Sequence, residues 1–514
     1  MAITFGPTLK LWSSSENTWT VSVLVGQSTL GAPALQYSVD GGVALAASTE
    51  RITRRENVYY FRGLIEVDLG EGEQELEYTI GNQRYSFVVP AKDQLPRLAY
   101  TSCNGFHTGK VPFSMKENEV GAMWESLKEV HSGKSSQVKR DKAYHLLVMG
   151  GDQIYADSTI ERFEQDQLGW NWFTKEHTKR NAELESADRK WLEKGYTRLY
   201  TDVWAQNPVM MEMFATCPAV MMWDDHDIMD GWGSHPDRRE KWPVYKDGVF
   251  EVAREAFLLY QQHCGPEETP EGVMTLNRNL SNGFRMGSAA ILNLDTRTER
   301  KPEQIMTKSN WKRIDRWLTQ ETEGLKHLFV CLSVPAVYAN LEWIEELLES
   351  TPGVQSVEDD LRDHWRSRPH RSTRVKLLES LFEVAKTGCR VTLLSGDVHV
   401  AAHGIVTLKD GGKDDGTRRH RLHQLVSSPI LNSPGHAFAA TELKRQGSAR
   451  EDINATMSAE MSPLEVYRKG KSRSSYFVGQ RNWLSLVSRD ECAYRAEWYF
   501  EGAEDPFKVE IHSC

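Results

Sequence analysis

Apolar runs separated by polar clusters dominate the middle of the chain, and four of these runs end on side chains that can bind metal ions. They lie within residues 97–104, 145–155, 219–227 and 391–399. Short apolar runs bounded by glycine or polar clusters are typical of buried strands. Because ligands of open α/β sheets bind beyond the carboxyl ends of strands, the pattern predicts that the four ends meet at one site.

Residues 1–92 have the pattern of a small all-β domain. The β-branched, partly alternating run at 19–25 predicts a strand, and two shorter runs flank Gly81-Asn82, which is a hairpin signal. Short strands at this spacing favour a β-sandwich.

From residue 97 to 514 the pattern changes to strands separated by helices, which predicts a second domain of α/β class. Ser309 is predicted to cap a helix whose apolar residues share one face. Residues 160–213 are polar, rich in tryptophan and helical in pattern, and they predict an insertion that covers one side of the domain. Residues 441–475 are charged and poor in large apolar side chains, and they predict a surface excursion.

Length, composition and charge exclude some classes of function. With 514 residues, 39% of them hydrophobic and 26% charged, the chain is a globular protein too long for one hydrophobic core. Its formal net charge of -10 argues against general binding to nucleic-acid backbone, because no basic excess displaces counterions. No apolar run reaches the length of a membrane span, so no membrane association is expected.

The seven cysteines are scattered and odd in number, which favours reduced thiols. The N-terminus has no basic region followed by an apolar core, so no secretory signal is visible. Both observations favour a cytoplasmic protein, although a chain whose leader has been removed would have the same N-terminal pattern. Cys103 differs from the other cysteines because it follows a predicted strand and precedes Asn104.

Each polar cluster has an ordinary structural explanation when it is taken alone. Asp152 and Tyr155 follow two glycines, a pattern that more often marks a turn. The run Asp224-Asp225-His226-Asp227 could be a solvated loop, but the apolar strand before it favours burial, where three carboxylates need a nearby cation.

Two further clusters follow apolar strands. Asp397 and His399 would point to one face if strand geometry continued through them. Asp295 and Arg297 are more simply a structural salt bridge, with two functional alternatives in which Arg297 orients a carboxylate or contacts phosphate. His403 is interpreted as a core histidine and not as a ligand.

In their order along the chain the clusters resemble the PhoD-like alkaline phosphatases and phosphodiesterases of the metallophosphoesterase superfamily. The resemblance rests on Ser-Cys-Asn at 102–104, Gly-Asp-Gln-Ile-Tyr at 151–155, Trp-Asp-Asp-His-Asp at 223–227, Leu-Asp-Thr-Arg at 294–297 and Ser-Gly-Asp-Val-His at 395–399. It implies a double β-sandwich flanked by helices, with a dinuclear metal site at strand ends. It also implies that the β-rich residues 1–92 precede the catalytic domain at 97–514.

The resemblance implies a role for most of these residues. The first metal, expected to be Fe³⁺, would be held by Cys103, Asp152, Tyr155 and His399. The second metal, expected to be Ca²⁺ with Mn²⁺, Mg²⁺ or Zn²⁺ as alternatives, would be held by Asp152, Asp225 and Asp397. His226 would contact the phosphate and assist the leaving group, and the supporting or phosphate-contacting residues would be Asp224, Asp227, Asp295 and Arg297.

Two departures from the family pattern affect these expectations. No histidine lies between residues 328 and 335, where relatives supply a further ligand, and Asp227 stands where many relatives have glutamate. The leading hypothesis is hydrolysis of a small-molecule phosphate mono- or diester by a hydroxide that two metals activate. The alternatives are a non-catalytic metal-binding or scaffold module on the same fold, and a redox enzyme that uses iron.

Overall fold

A computed structural model of the chain describes residues 3–106, 120–135, 143–169, 183–235, 239–338, 364–409, 421–433, 450–490 and 493–512. Part of the predicted insertion, 170–182, and part of the predicted excursion, 441–449, lie outside the described residues.

Strands account for most of the regular structure in the described residues. Their bounds are β1 Ile3–Ser14, β2 Thr18–Gln27, β3 Leu35–Val39, β4 Leu45–Ala47, β5 Thr49–Arg55, β6 Val58–Asp68, β7 Gln74–Ile80, β8 Gln83–Val89, β9 Leu98–Thr101, β10 Leu146–Gly150, β11 Ala219–Met222, β12 Asn282–Met286, β13 Ala289–Asn293, β14 His327–Leu332, β15 Arg390–Ser395, β16 Ala401–Leu408, β17 Arg421–Val426, β18 Glu451–Asp452, β19 Met457–Ser462, β20 Leu464–Arg468, β21 Lys471–Ser475, β22 Phe477–Val478, β23 Asn482–Asp490, β24 Ala493–Phe500 and β25 Phe507–His512.

The helices lie between the strands of the α/β part. Their bounds are α1 Ala122–His131, α2 Asp157–Asp166, α3 Ser186–Arg198, α4 Pro208–Thr216, α5 Phe250–Tyr260, α6 Lys308–Glu321 and α7 Arg371–Lys386, with π-helical turns at Leu199–Trp204 and Val244–Val249 and a 3₁₀ turn at Arg239–Lys241. No helix in the described part of the chain is both long and apolar enough to span a bilayer.

Two large sheets form the body of the molecule. Within the described residues, the first has the strand order β25-β24-β23-β9-β10-β11-β1-β2-β6-β5. The second has the order β12-β13-β14-β15-β17-β16-β19-β18, with β22 paired to β16. Strands β9, β10 and β11 run parallel to one another, as do β13, β14 and β15, so each sheet gathers several carboxyl ends along one edge.

The apolar runs are buried on both faces, which explains why they are continuous in the sequence and not alternating. In β10, Leu146 and Val148 point into the layer between the two sheets, whereas Leu147 and Met149 point to the layer beneath helices α1 to α5. On the second sheet, Phe329 faces the central layer and its neighbours on β14 face α6 and α7. The result is a helix–sheet–sheet–helix arrangement of α/β class.

The N-terminal strands are shared between two sheets. Strands β1, β2, β5 and β6 extend the first large sheet, because β1 lies parallel to β11 with Lys10 opposite Ala219. Strands β3, β4, β7 and β8 form a separate four-stranded sheet, and Leu35 and Leu76 on it join the central core. The predicted hairpin between β7 and β8 is present, with Gly81 at φ 59°.

Two details of the secondary structure differ from the sequence prediction. Thr307, not Ser309, is the residue before the first turn of α6. The segment 441–475 was predicted to be a surface excursion, but β19 within it pairs with β16 and buries Met457 and Met461. Small and polar residues separate these methionines, so their alternation was too weak to predict a strand.

Candidate metal centre

The four predicted strand ends meet, and each contributes a side chain at the same distance from its strand. Cys103, Asp152, Asp224 and Asp397 each lie two residues beyond the last residue of β9, β10, β11 and β15, respectively. Hydrogen bonds join the first two loops, since Cys103 N donates to the Gly151 carbonyl at 3.2 Å and Asn104 N donates to the Asp152 carbonyl at 2.7 Å. The packing of the two sheets brings Asp397 to the same place from the second sheet.

The carboxylates form a compact cluster in which Asp152, Asp224 and Asp225 are buried and Asp397 is half-buried. Asp152, Asp224, Asp225 and Asp397 each offer one oxygen, and these oxygens all lie within 4.8 Å of one another. Asp152 is 1% exposed, yet its Oδ1 has no hydrogen-bond partner among the described residues. A buried carboxylate oxygen without a partner costs free energy unless a cation binds it.

The remaining predicted ligands lie beside this cluster in two pairs. Cys103 Sγ is 3.4 Å from Asp152 Oδ2, and Tyr155 Oη is 3.1 Å from His399 Nε2. Separations of this size are those of donor atoms that share one cation at about 2.0–2.3 Å. The structure therefore brings together the thiol, phenol, imidazole and carboxylate groups that the sequence motifs singled out.

The backbone at the cluster is in the left-handed region. Cys103, Asp152, Asp397 and His399 have φ angles of 55°, 56°, 63° and 52°. For non-glycine residues such conformations cost roughly 1–3 kcal/mol each and persist where the surrounding structure imposes them. Strand geometry does not continue through Asp397 and His399, because β15 ends at Ser395 and a turn follows. Both side chains nevertheless reach the site, Asp397 in the carboxylate cluster and His399 against Tyr155.

Asp227 holds two of the loops in register. Its carboxylate accepts hydrogen bonds from the backbone N–H groups of Asp152 and Asp224, both at 2.9 Å, and from that of Gln153 at 3.2 Å. Gln261 Nε2 on the loop after α5 donates a further bond at 2.9 Å. Burial raises the pKa of Asp227 to about 7, although these hydrogen bonds oppose the rise.

Arg297 supplies positive charge to the edge of the cluster. Its side chain is fully buried, Nε donates to Asp224 Oδ1, and Nη2 lies 3.2 Å from Asp225 Oδ1. Of the alternatives for this residue, the geometry matches the one in which the arginine orients carboxylates.

Asp295 organises backbone around the site. It accepts hydrogen bonds from Trp223 Nε1 at 3.0 Å, from Leu280 N at 2.8 Å, and from the N–H groups of Arg297 and Thr298, both at 3.0 Å. The salt bridge expected between Asp295 and Arg297 is therefore replaced by a backbone contact, while the guanidinium pairs with Asp224 and Asp225. These bonds fix the approach of Arg297 to the cluster.

His226 lies beside the cluster with its side chain 16% exposed, against a carboxylate that sequence reasoning missed. Its Nδ1 is 3.0 Å from both oxygens of Asp157, and Asp230 Oδ1 is 4.0 Å from its Nε2. The Tyr155 ring stacks on the imidazole with a centroid distance of 4.3 Å. Burial alone would lower the pKa of His226, but the negative charge of Asp157, Asp225 and Asp152 outweighs burial and raises it well above the ordinary value.

The electrostatics of the cation-free protein are unfavourable at this site. Burial raises the pKa of Asp152 well above its ordinary range; the charge of His226 opposes the rise, and the neighbouring carboxylates add to it. Burial, followed by the charge of His226, lowers the pKa of His399 to about 3, although the charge of Asp225 opposes this shift. A neutral imidazole is the form that binds metal, and bound cations would restore the carboxylates to their ionised form.

The donors therefore fit a pair of cations. Burial raises the pKa of the Cys103 thiol, with the charge of Asp152 as the next cause, and burial also raises the pKa of the Tyr155 phenol. A thiol and a phenol lose their protons when they bind a metal ion. In this environment the two groups would be deprotonated only with the ion present.

Two features of the site had no usable sequence signal. Asp157 follows Tyr155 by two residues, and only the contact with His226, 69 residues away, distinguishes it. Gln261 is the first of two adjacent glutamines that follow α5, and no motif contains it. Beyond β14, where relatives supply a histidine, Ser333 Oγ is 2.8 Å from Thr296 Oγ1, so this strand end carries a hydroxyl pair.

A family model described as PhoD related phosphatase matches residues 74–357 and 348–491. The chain belongs to that family. It is 26% identical over 515 residues to the uncharacterized protein YGR266W of Saccharomyces cerevisiae, across 85% of this chain and 72% of the yeast protein.

Two solved structures share the fold. PhoD aligns with a TM-score of 0.53 and 13% identity over 99% of this chain and 88% of PhoD. The purple acid phosphatase PPD1 from yellow lupin seeds aligns with a TM-score of 0.52 and 13% identity over 98% of this chain and 73% of that protein. The predicted metallophosphoesterase fold is therefore confirmed, and membership of the phosphatase family supports hydrolysis of phosphate esters as the general class of activity.

Proposed function

We propose that the chain hydrolyses phosphate mono- or diesters with two cations held at the strand ends. The observation that carries this proposal is the largely buried cluster of four carboxylate oxygens within 4.8 Å, in which Asp152 Oδ1 has no partner among the described residues. Arg297 pairs with Asp224 and Asp225, and the further negative charge of the cluster favours bound cations. Family membership supports phosphate esters as the substrates.

The donor types favour two different cations. Cys103, Tyr155, His399 and Asp152 would hold one, and a thiolate with a phenolate suits Fe³⁺. Asp152, Asp225 and Asp397 would hold the other, and an oxygen-only set suits Ca²⁺, Mn²⁺ or Mg²⁺, with Zn²⁺ as a further alternative. Bound cations would acidify a water for attack on phosphorus and neutralise charge on the phosphoryl group.

The chain's own residues would complete the reaction. His226 would give a proton to the leaving oxygen, because its imidazole lies within 4.8 Å of Asp152 and Asp225 and its surroundings favour the protonated form. Arg297 and Asp227 would keep the carboxylates in position through the contacts described above.

Elemental analysis of freshly purified protein, combined with a panel of chromogenic phosphate mono-, di- and triesters, tests the proposal. We expect two equivalents of metal and turnover of at least one ester class. Asp152→Asn keeps a side chain that tolerates left-handed backbone, and we expect it to lower metal content and turnover together, by about 100-fold or more in rate.

Asp315→Asn is the matched control, because Asp315 is exposed on α6 and contacts Ser380. It should leave metal content and rate unchanged. Full activity of Asp152→Asn would contradict the proposed site. Bound metal without turnover on any ester would favour the non-catalytic metal-binding module instead.

The identity of the first cation has an optical test. A tyrosine bound to Fe³⁺ absorbs visible light, so the iron-loaded protein should be coloured. Tyr155→Phe should remove that absorption band while iron bound through Cys103, Asp152 and His399 remains detectable. A colourless, iron-free protein with full activity would contradict Fe³⁺ at this position.

A further inference from the structure

Four cations lie close together at the end of an exposed hairpin. In the described part of the chain, β20 and β21 pair only with each other, around a turn at Lys469 and Gly470 with φ angles of 49° and 70°. Residues 467–474 are all exposed, and the whole chain has a formal net charge of -10. The four cations are Arg468, Lys469, Lys471 and Arg473.

No carboxylate of the described residues forms an ion pair with any of these cations. Arg468 donates instead to two backbone carbonyls of the turn after β24, from Nε to Gly502 at 3.0 Å and from Nη2 to Glu501 at 2.8 Å. Glu504 and Asp505 on that turn are exposed, and neither forms an ion pair with the hairpin. The positive charge of the hairpin is therefore free to attract an anion outside the protein.

The hairpin is held to the body of the molecule at its base and near its tip. Leu464 and Val466 of β20 are buried in the central core. Nearer the tip, Glu504 N donates to the Tyr467 carbonyl at 3.0 Å, beside the contacts of Arg468. The cations are thus presented on a fixed element, which lowers the entropy lost on binding.

The hairpin lies at the same end of the molecule as the candidate metal centre. The turn beneath it is tied to Arg481 by an ion pair with Glu501. The next residue, Asn482, donates to the Ser428 carbonyl at 2.8 Å, and Ser428 Oγ lies 3.0 Å from Cys103 Sγ. A surface that contacts the hairpin therefore approaches the end of the molecule that carries the metal centre.

We propose that the tip of this hairpin docks the protein on a bilayer that contains anionic lipid. Clusters of lysine and arginine bind such surfaces, and Tyr467, which is 40% exposed, supplies an aromatic ring of the kind found at bilayer interfaces. The expectation of no membrane association was based on the absence of a membrane span, and surface binding needs none. This proposal does not rest on the proposed function.

Screening and shape favour a bilayer over a nucleic acid as the partner. At physiological salt, charges separated by more than about 8 Å are largely screened, so the tip can approach an anionic surface although the protein as a whole is acidic. A convex tip fits a flat surface, whereas proteins bind single-stranded nucleic acid in a basic groove that follows its backbone.

Sedimentation of the full chain with lipid vesicles tests the proposal. We expect binding to phosphatidylcholine vesicles that contain phosphatidylserine, no binding to phosphatidylcholine alone, and a loss of at least about tenfold in affinity as NaCl rises from about 0.05 to 0.5 M. The triple variant Lys469→Gln/Lys471→Gln/Arg473→Gln should bind about 100-fold more weakly, since each cation near the surface contributes about fivefold. Arg468 is kept because its contacts hold the tip.

The matched control removes three cations elsewhere. Lys190, Lys312 and Lys376 are exposed on α3, α6 and α7, and none has an ion-pair partner among the described residues. Lys190→Gln/Lys312→Gln/Lys376→Gln gives the same net charge as the hairpin variant and should bind vesicles like the wild type. Both triple variants should unfold at the urea concentration of the wild type, because every substituted side chain is exposed.

Three outcomes would overturn the docking role. The first is a wild-type protein that does not bind phosphatidylserine vesicles at about 0.05 M NaCl. The second is an equal loss of binding in the hairpin variant and the control variant, which would show that only net charge matters. The third is tighter binding of single-stranded RNA than of vesicles, lost in the hairpin variant alone, which would assign the hairpin to nucleic acid.

Discussion

At the scale of single residues, Asp227 determines the geometry of the cluster more than any proposed ligand does. Its two oxygens accept hydrogen bonds from the backbones of two separate loops, one after β10 and one after β11. The loops cannot move apart without breaking several of these bonds at once. Asp227, which is proposed as a supporting residue and not as a ligand, therefore ties together the backbones at Asp152 and Asp224.

Replacing Asp227 with asparagine should destabilise the protein, although the two side chains have nearly the same shape. One acceptor oxygen becomes a donor that faces backbone N–H groups, and each unsatisfied buried donor costs about 1–3 kcal/mol. We expect the free energy of unfolding in urea to fall by about 2–4 kcal/mol and the affinity for metal by about 10- to 100-fold. Asp315→Asn should change unfolding by less than about 0.5 kcal/mol. Equal stability of the two variants would contradict this role.

The sequence singled out residues that a motif contains and not those that only tertiary contacts define. Cys103, Asp152, Asp225 and Asp397 were singled out because each follows an apolar run, and the structure brings them together. Asp157 could not be found, since a carboxylate at the start of a helix is ordinary and its partner lies on another loop. The left-handed backbone of Asp397 could not be predicted from the sequence either, because non-glycine residues at strand ends usually remain extended.

At the scale of elements, pattern and structure agree best where a strand is fully apolar. Strands β10 and β15 were predicted because both of their faces are buried between layers. Strand β19 was missed, since its sequence alternates methionine with serine, alanine and glutamate. What makes it a strand is the pairing with β16, which lies about fifty residues earlier and is itself central to the second sheet.

This pairing has a measurable consequence. Met457 is 0% exposed on β19, so Met457→Ala should lower the free energy of unfolding by about 2–5 kcal/mol through lost burial and the cavity left behind. Glu460 on the same strand is exposed, and Glu460→Ala should change it by less than about 0.5 kcal/mol. Chemical denaturation of the two variants side by side checks this expectation. A neutral effect of Met457→Ala would mean that β19 is a surface segment, as the sequence suggested.

At the scale of the whole molecule, two sheets bring the carboxyl ends of distant strands to one place. The α/β class followed from the alternation of strands and helices. The order of strands in each sheet did not follow from the sequence, because pairing between strands far apart in sequence leaves no local signal. The clearest case is that β1 and β11 share the first sheet, since the change of pattern between residues 92 and 97 suggested two separate domains.

Buried histidines far from the cluster predict how the whole protein responds to acid. Burial lowers the pKa of His403 to about 4, and burial, opposed in part by a backbone hydrogen bond, lowers that of His131 to about 4. The unfolded chain binds protons on these residues below about pH 6.5, whereas the native protein does not. Stability should therefore fall as the pH drops from about 6.5 toward 4, by up to about 1.4 kcal/mol per pH unit for each histidine.

Urea unfolding at several pH values and constant ionic strength measures this slope. His403→Gln removes one of the buried histidines and should make the dependence between pH 6.5 and 4 shallower, even if the variant is less stable at pH 7. A slope unchanged by the substitution would show that His403 does not contribute.

The four left-handed residues at the strand ends have a consequence for how long the protein survives without its ions. The left-handed backbone and the close approach of like charges both destabilise the folded protein when no cation is bound. Cations that bind only the folded state offset this destabilisation. The melting temperature should then rise with the logarithm of free cation concentration, and a chelator should shorten the lifetime of the protein in a protease solution. In a cell, the amount of this protein would follow the supply of its metals.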